Sequence, residues 1–196
     1  MPISLVAGLG NPGRAYAATR HNAGWLVVDA LAAEEKLSWK TEERFEAEIA
    51  RWDFAPGHTV WLAKPLTFMN ASGRAIQKLA AFHKIAPASI TVVYDDLTID
   101  CGLMKVSVKG SAGGHNGVAD LLARMGDGFV RYRLGIGPKF PREMDIKDYV
   151  LGRFTDEQRH LFNQQLPRYT AGLRLLLAQG PDQAMNQLNR RTLPTS

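Results

Sequence analysis

Apolar and polar positions along the chain switch between two periods, and each switch marks an element. Ser4 to Leu9 is a short apolar run ending in the glycine-rich turn Gly8-Leu9-Gly10-Asn11-Pro12-Gly13, as a buried strand would. Asn22 then precedes Ala23 to Lys36, a stretch apolar almost all round, which predicts a buried helix capped by Asn22. Phe45 to Phe54 and Thr59 to Ala63 pattern as paired strands, with Pro56-Gly57-His58 as their turn. A helix is expected from Asn70 or Ser72 to Lys84, with Ile76, Leu79, Ala80 and Phe82 on its core side. The β-branched run Ile90 to Tyr94 follows as a central strand.

Leu103 to Lys109 alternates, with Met104, Val106 and Val108 on one face and Lys105, Ser107 and Lys109 on the other. Asn116 to Met125 reads as a helix turning Val118, Leu121, Leu122 and Met125 inward. Phe129 to Ile136 alternates again, so that Tyr132, Leu134 and Ile136 face one way and Arg131 and Arg133 the other. Two strands thus each display basic side chains at every second position. After a loop from Gly137 to Lys147, Thr155 and Gln158 form a capping-box signature. The helix they open runs to Gln179, bent at Pro167 and closed by Gly180-Pro181, and a last short helix covers 182–190. There is no repeat and no linker rich in Gly, Pro and Ser. Strands interleaved with helices therefore predict one α/β domain over 1–196, a mixed, partly parallel β-sheet flanked by helices on both faces.

A chain of 196 residues buries about 70% of its extended surface on folding, enough for a core that needs no staple. The one cysteine, Cys101, permits no internal disulfide and no cysteine-based zinc cluster. No apolar run is long enough for a bilayer, and Met1 to Ala7 lacks the pattern of a secretory signal, so residence in the cytosol without a membrane is expected. The net charge is +5, and its distribution matters more than its size: residues 101–142 hold seven basic groups against two acidic ones. Such a cluster is either a solvated basic surface or a face for a polyanion.

The turn at 8–13 fits G-x-G-x-x-G, the dinucleotide fingerprint, but the context fails. That motif needs a helix opening straight from the loop and an acidic residue about 20 positions on at the end of a second strand. Here the helix waits until Asn22, and the nearby acid, Asp29, lies inside it. What remains is Asn11 in a glycine turn at the carboxyl end of a strand. Asn22, Asn70 and Asn116 stand at comparable places before helices. An asparagine there is either a helix cap or an uncharged donor and acceptor for a ligand. His21 and His115 lie in the pre-helical and glycine-rich loops, and Asp95-Asp96 ends the central strand, where at most one of the pair can aim at a given site. No G-x-S-x-G, H-x-x-x-H or H-E-x-x-H occurs, and Cys101 has no basic neighbour. By elimination, any chemistry here is water activated by histidine, and neither a metal nor a cofactor is expected.

Taken together, Gly8-Leu9-Gly10-Asn11-Pro12-Gly13, Tyr16, Thr19-Arg20-His21-Asn22, Lys64-Pro65, Phe68-Met69-Asn70-Ala71-Ser72-Gly73, Tyr94-Asp95-Asp96-Leu97 and Gly113-Gly114-His115-Asn116-Gly117 resemble bacterial peptidyl-tRNA hydrolases. The blocks run in family order at family spacing from about residue 3 to 154. The resemblance implies a monomeric α/β enzyme that cleaves the ester between a peptide and the terminal ribose of tRNA. It implies His21 as general base, Asp95 as its orienting partner, and Asn11 as the group that tells blocked from free aminoacyl ends. Tyr16, Phe68, Asn70 and Asn116 would contact the tRNA end or the peptide, with Met69 and His115 lining the same cleft. Lys105 and Arg133 would lie near the site of the tRNA 5′-phosphate. Ser107 stands where family members usually carry Lys or Arg, with Lys109 two residues further on the same strand face. The family also includes non-catalytic RNA-binding relatives, from which the retained His21, Asp95 and asparagines set this chain apart.

Overall fold

A computed structural model describes residues 1–189. β1 (Leu5–Gly8) is apolar at every position and buried on both sides, as a central strand of a parallel array must be. It runs parallel to β4 (His58–Pro65) on one side and to β5 (Ile90–Asp100) on the other. β5 pairs in parallel with β7 (Val130–Gly137). The antiparallel strands β6 (Met104–Ser107), β3 (Ala47–Ala55) and β2 (Lys40–Glu42) complete the edges, giving the order β2-β3-β4-β1-β5-β7-β6.

The two-residue period of the strands divides the core. Val6 and Val93 pack beneath α1 (Ala23–Glu34) and α5 (Asp156–Leu188), while Leu5, Ala7, Val92 and Tyr94 pack beneath α2 (Ser72–Phe82) and α3 (Asn116–Met125). The expected sheet with helices on both faces is the one found. A short helix, α4 (Ile146–Leu151), joins β7 to α5. At Gly24 a Cβ would lie 2.3 Å from the Val93 carbonyl oxygen, so the absence of a side chain is what lets α1 settle directly on β5.

Several local expectations change. The turn between β3 and β4 is Pro56-Gly57 alone, because His58 already pairs with Ala55. Phe82 is 56% exposed and carries the Arg44 guanidinium on its ring rather than facing the core. Val108 lies beyond the end of β6 and is exposed. The capping box at Thr155 and Gln158 is formed, and the helix it opens breaks its dihedrals at Gly180 (φ 83°, ψ 173°), where the sequence closes it, while Pro167 keeps helical dihedrals. The last helix ends at Leu188 within the described residues, and residue 190 of its expected range lies outside them. No helix among the described residues is long and apolar enough to cross a membrane.

Candidate active site

Parallel strands deliver their carboxyl ends to one edge, and the loops leaving β1, β4 and β5 there open into a cleft of about 800 Å³. His21 and Asp95 meet on its floor. His21 Nδ1 lies 3.0 Å from both oxygens of the Asp95 carboxylate, with both residues buried. Asp96, the next residue of β5, also lines the cleft but pairs with Arg133 at 2.9 Å instead of with either histidine. His115 Nε2 lies 2.9 Å from Asp95 Oδ1, a contact that sequence spacing could not reveal. The His115 Nδ1 accepts the Val118 N–H at 3.3 Å as the cap of α3, so the ring proton sits on Nε2 and is given to Asp95.

Burial by itself would raise the Asp95 carboxyl, but the two imidazoles outweigh it and hold the group well below the usual carboxylate range. For His21, burial pulls downward while the charge and hydrogen bond of Asp95 pull upward by more, leaving it above the ordinary 6.5. With Nδ1 donating to the carboxylate, Nε2 is the nitrogen left to accept a proton. His21, Asp95 and His115 also bring three potential ligand atoms within 4.8 Å of one another. Those atoms are turned on each other through shared protons, a set fitted to holding a proton rather than surrounding an ion.

The asparagines divide by role. Asn22 is not the helix cap the sequence suggests: its Oδ1 accepts the Asn11 N–H and its Nδ2 donates to the Asn11 carbonyl, both at 2.9 Å. Asn11 Oδ1 accepts the Met69 N–H at 2.7 Å, which leaves the Asn11 Nδ2 hydrogens for the cleft that this residue lines. Asn70 and Asn116 are exposed at the cleft wall, and neither caps a helix, since His115 caps α3 and no side chain caps α2. Tyr16 and Phe68 pack edge to face, centroids 6.3 Å apart, beside Met69.

His21, Asp95, Asn11, Asn70, Asn116, Tyr16, Phe68 and Met69 thus line one cleft. The sequence profile of the family described as Peptidyl-tRNA hydrolase covers residues 5–196. The chain belongs to the peptidyl-tRNA hydrolase family. It is 44% identical to the peptidyl-tRNA hydrolase of Desulfitobacterium hafniense (strain Y51), over 96% of this chain and 100% of that one. It is 42% identical to that of Neisseria meningitidis serogroup A, over 96% and 98%. The crystal structure of peptidyl-tRNA hydrolase from Acinetobacter baumannii is similar with a TM-score of 0.90 at 36% identity, covering 97% of this chain and 96% of that one.

The basic residues are spread unevenly about this cleft. Arg133 lines the cleft but is paired with Asp96. Lys105 sits opposite Arg133 in the β6–β7 register, exposed on an edge strand and outside the cleft lining, whereas Ser107 and Lys109 line it. Arg131, placed by alternation on the same face as Arg133, is wholly buried instead of presented to solvent. Leu97, Ile146, Val150 and Leu151 form an apolar far wall that the sequence did not disclose, because α4 is too short to show a period.

Proposed function

We propose that the chain hydrolyses the ester joining a peptide, or an N-blocked amino acid, to the terminal ribose of tRNA, and so returns free tRNA to translation. One observation carries the reading: within this family's fold, His21 Nδ1 is bound to a buried Asp95 carboxylate on the floor of a cleft, with Nε2 unused. His21 takes a proton from water through Nε2 as the oxygen attacks the ester carbonyl, and Asp95 stabilises the imidazolium that forms. The Asn11 amide donates to the developing oxyanion, and the proton held on His21 passes to the departing ribose oxygen. Asn70 and Asn116 offer carboxamides to the peptide backbone, and Tyr16, Phe68 and Met69 supply apolar and aromatic surface beside them. Arg133 and Lys109 are the cations best placed for phosphate at the rim.

Water is the nucleophile in this scheme. Burial pushes the Cys101 thiol up to about 11, so it carries almost no thiolate near neutrality. The chain acts as one domain and as a monomer, without a resident cofactor. The test is release of an N-blocked amino acid from its tRNA, wild type beside His21→Ala. Turnover is expected to fall by about 10²–10⁴-fold in the variant. Equal rates would displace His21 from the role of base, and no turnover by either protein would leave an RNA-binding protein.

A further inference from the structure

Arg131 stands in β7 at 1% exposure, and no step of the reaction uses it. A buried guanidinium is costly unless its hydrogen bonds are well spent. Those of Arg131 go to the Ser111 carbonyl at 3.0 Å, to the Gly110 carbonyl, and to the Asp127 carboxylate at 2.9 Å. Gly110 and Ser111 open the glycine-rich segment that runs into His115, and most of that segment is exposed. Asp127 accepts the Gly110 N–H at 3.3 Å and the His115 N–H reaches back to Ala112, while the far end of the segment is held where His115 accepts the Val118 and Ala119 N–H groups at the start of α3. The Tyr94 phenol also interacts with Arg131, and the Tyr94 ring packs edge-on against His115 with centroids 5.1 Å apart.

We infer that Arg131 is a positioning residue: by fastening the Gly110 and Ser111 carbonyls to the sheet it keeps His115 on Asp95, and so sets how strongly Asp95 acts on His21. The inference rests on His21 as the base. Asp95 Oδ1 serves both imidazoles, at 3.0 Å and 2.9 Å. A donor on a carboxylate draws off part of its charge, so loosening His115 leaves more of that charge to favour the protonated form of His21. Asp95 faces His21 from β5 and His115 from the loop before α3. Lys109 and the Asp96-paired Arg133 line the strand side of the cleft, and Asp145 and Lys147 the α4 side. Among the described residues none of these four hydrogen-bonds His21.

The deciding variant is Arg131→Lys, which keeps the buried charge but replaces the rigid fork, whose two nitrogens hold one carbonyl each, with a single ammonium on a flexible stem. The readouts are kcat/KM against pH for a blocked aminoacyl-tRNA, and Tm. Arg131→Lys and His115→Leu are each expected to move the acid limb upward by about half a pH unit, and the double variant no further than the larger single shift. An acid limb left at its wild-type position in a folded Arg131→Lys protein, with only Tm lowered, overturns the inference, as do two shifts that add. If Arg131→Lys does not fold, Asp127→Ala decides. Removing an acidic group by charge alone lowers the limb, whereas loosening Arg131 raises it, so an upward shift supports the inference and an unmoved or lowered limb overturns it. A wild-type profile with no acid limb counts against His21 as base, which is a separate failure.

Discussion

As the proposed base, His21 must be uncharged to take a proton from water, and its surroundings set the pH at which that holds. Burial lowers its affinity for a proton and Asp95 raises it by more, so the group titrates above 6.5. Turnover should therefore climb through neutral pH and level off only above that value, with the inactive, protonated form dominating on the acid side. Initial rates from pH 5 to 8.5 check this, and a midpoint below 6.5 would mean that desolvation outweighs the carboxylate. At this scale the residue types were legible and their partners were not. Asn22 has the sequence context of a cap, but a primary amide serves a helix end or a neighbouring loop equally well. Only the approach of residue 11 to residue 22 decides between them. The bond from His115 to Asp95 likewise depends on two loops meeting across the sheet.

Among the elements, the contact of α1 with β5 places the proposed base and its partner, since His21 lies two residues before the helix and Asp95 stands midway along β5, at the end of its β-branched run. Gly24 is the point of closest approach. A Cβ there meets the Val93 carbonyl oxygen at 2.3 Å and the Leu9 nitrogen at 2.7 Å, backbone atoms that cannot rotate away. Gly24→Ala is expected to lower stability in urea by about 1–3 kcal/mol and to reduce kcat as His21 shifts from Asp95. Wild-type stability and rate in that variant would place the helix elsewhere. Helices with strong periods were legible almost to the residue: α3 begins at Asn116 and ends at Met125 as expected. β5 extends to Asp100, beyond its β-branched run, because pairing with β7 resumes between Asp100 and Gly137 after an irregularity. Sequence pattern carries no trace of such pairing.

For the whole molecule, the basic half of the chain was visible in composition, but its use was not. Alternation places Arg131, Arg133, Lys105 and Lys109 on exposed faces, yet the fold buries the first, pairs the second with Asp96, and leaves the third outside the cleft. Lys109 alone of these is exposed, lines the cleft and, among the described residues, forms no salt bridge, its charge being felt only at a distance by Asp127. Lys109→Ala should therefore weaken tRNA binding and reduce the slope of log affinity against log salt by about one, while Lys105→Ala leaves the slope unchanged. Binding titrations at several salt concentrations check this, and the reverse order of effects would move the phosphate contact out to the sheet edge.

The paired amides of Asn11 and Asn22 close residues 11–22 into a ring, and Gly13 to Ala15, Ala17 and Ala18 form its exposed rim. A ring fixed at its base can be redecorated at its rim without disturbing what it holds. Apart from Gly13, whose φ of 103° favours glycine, that rim can vary in descendants of this chain, and with it the outer surface offered to tRNA, while the residues beneath stay where they are.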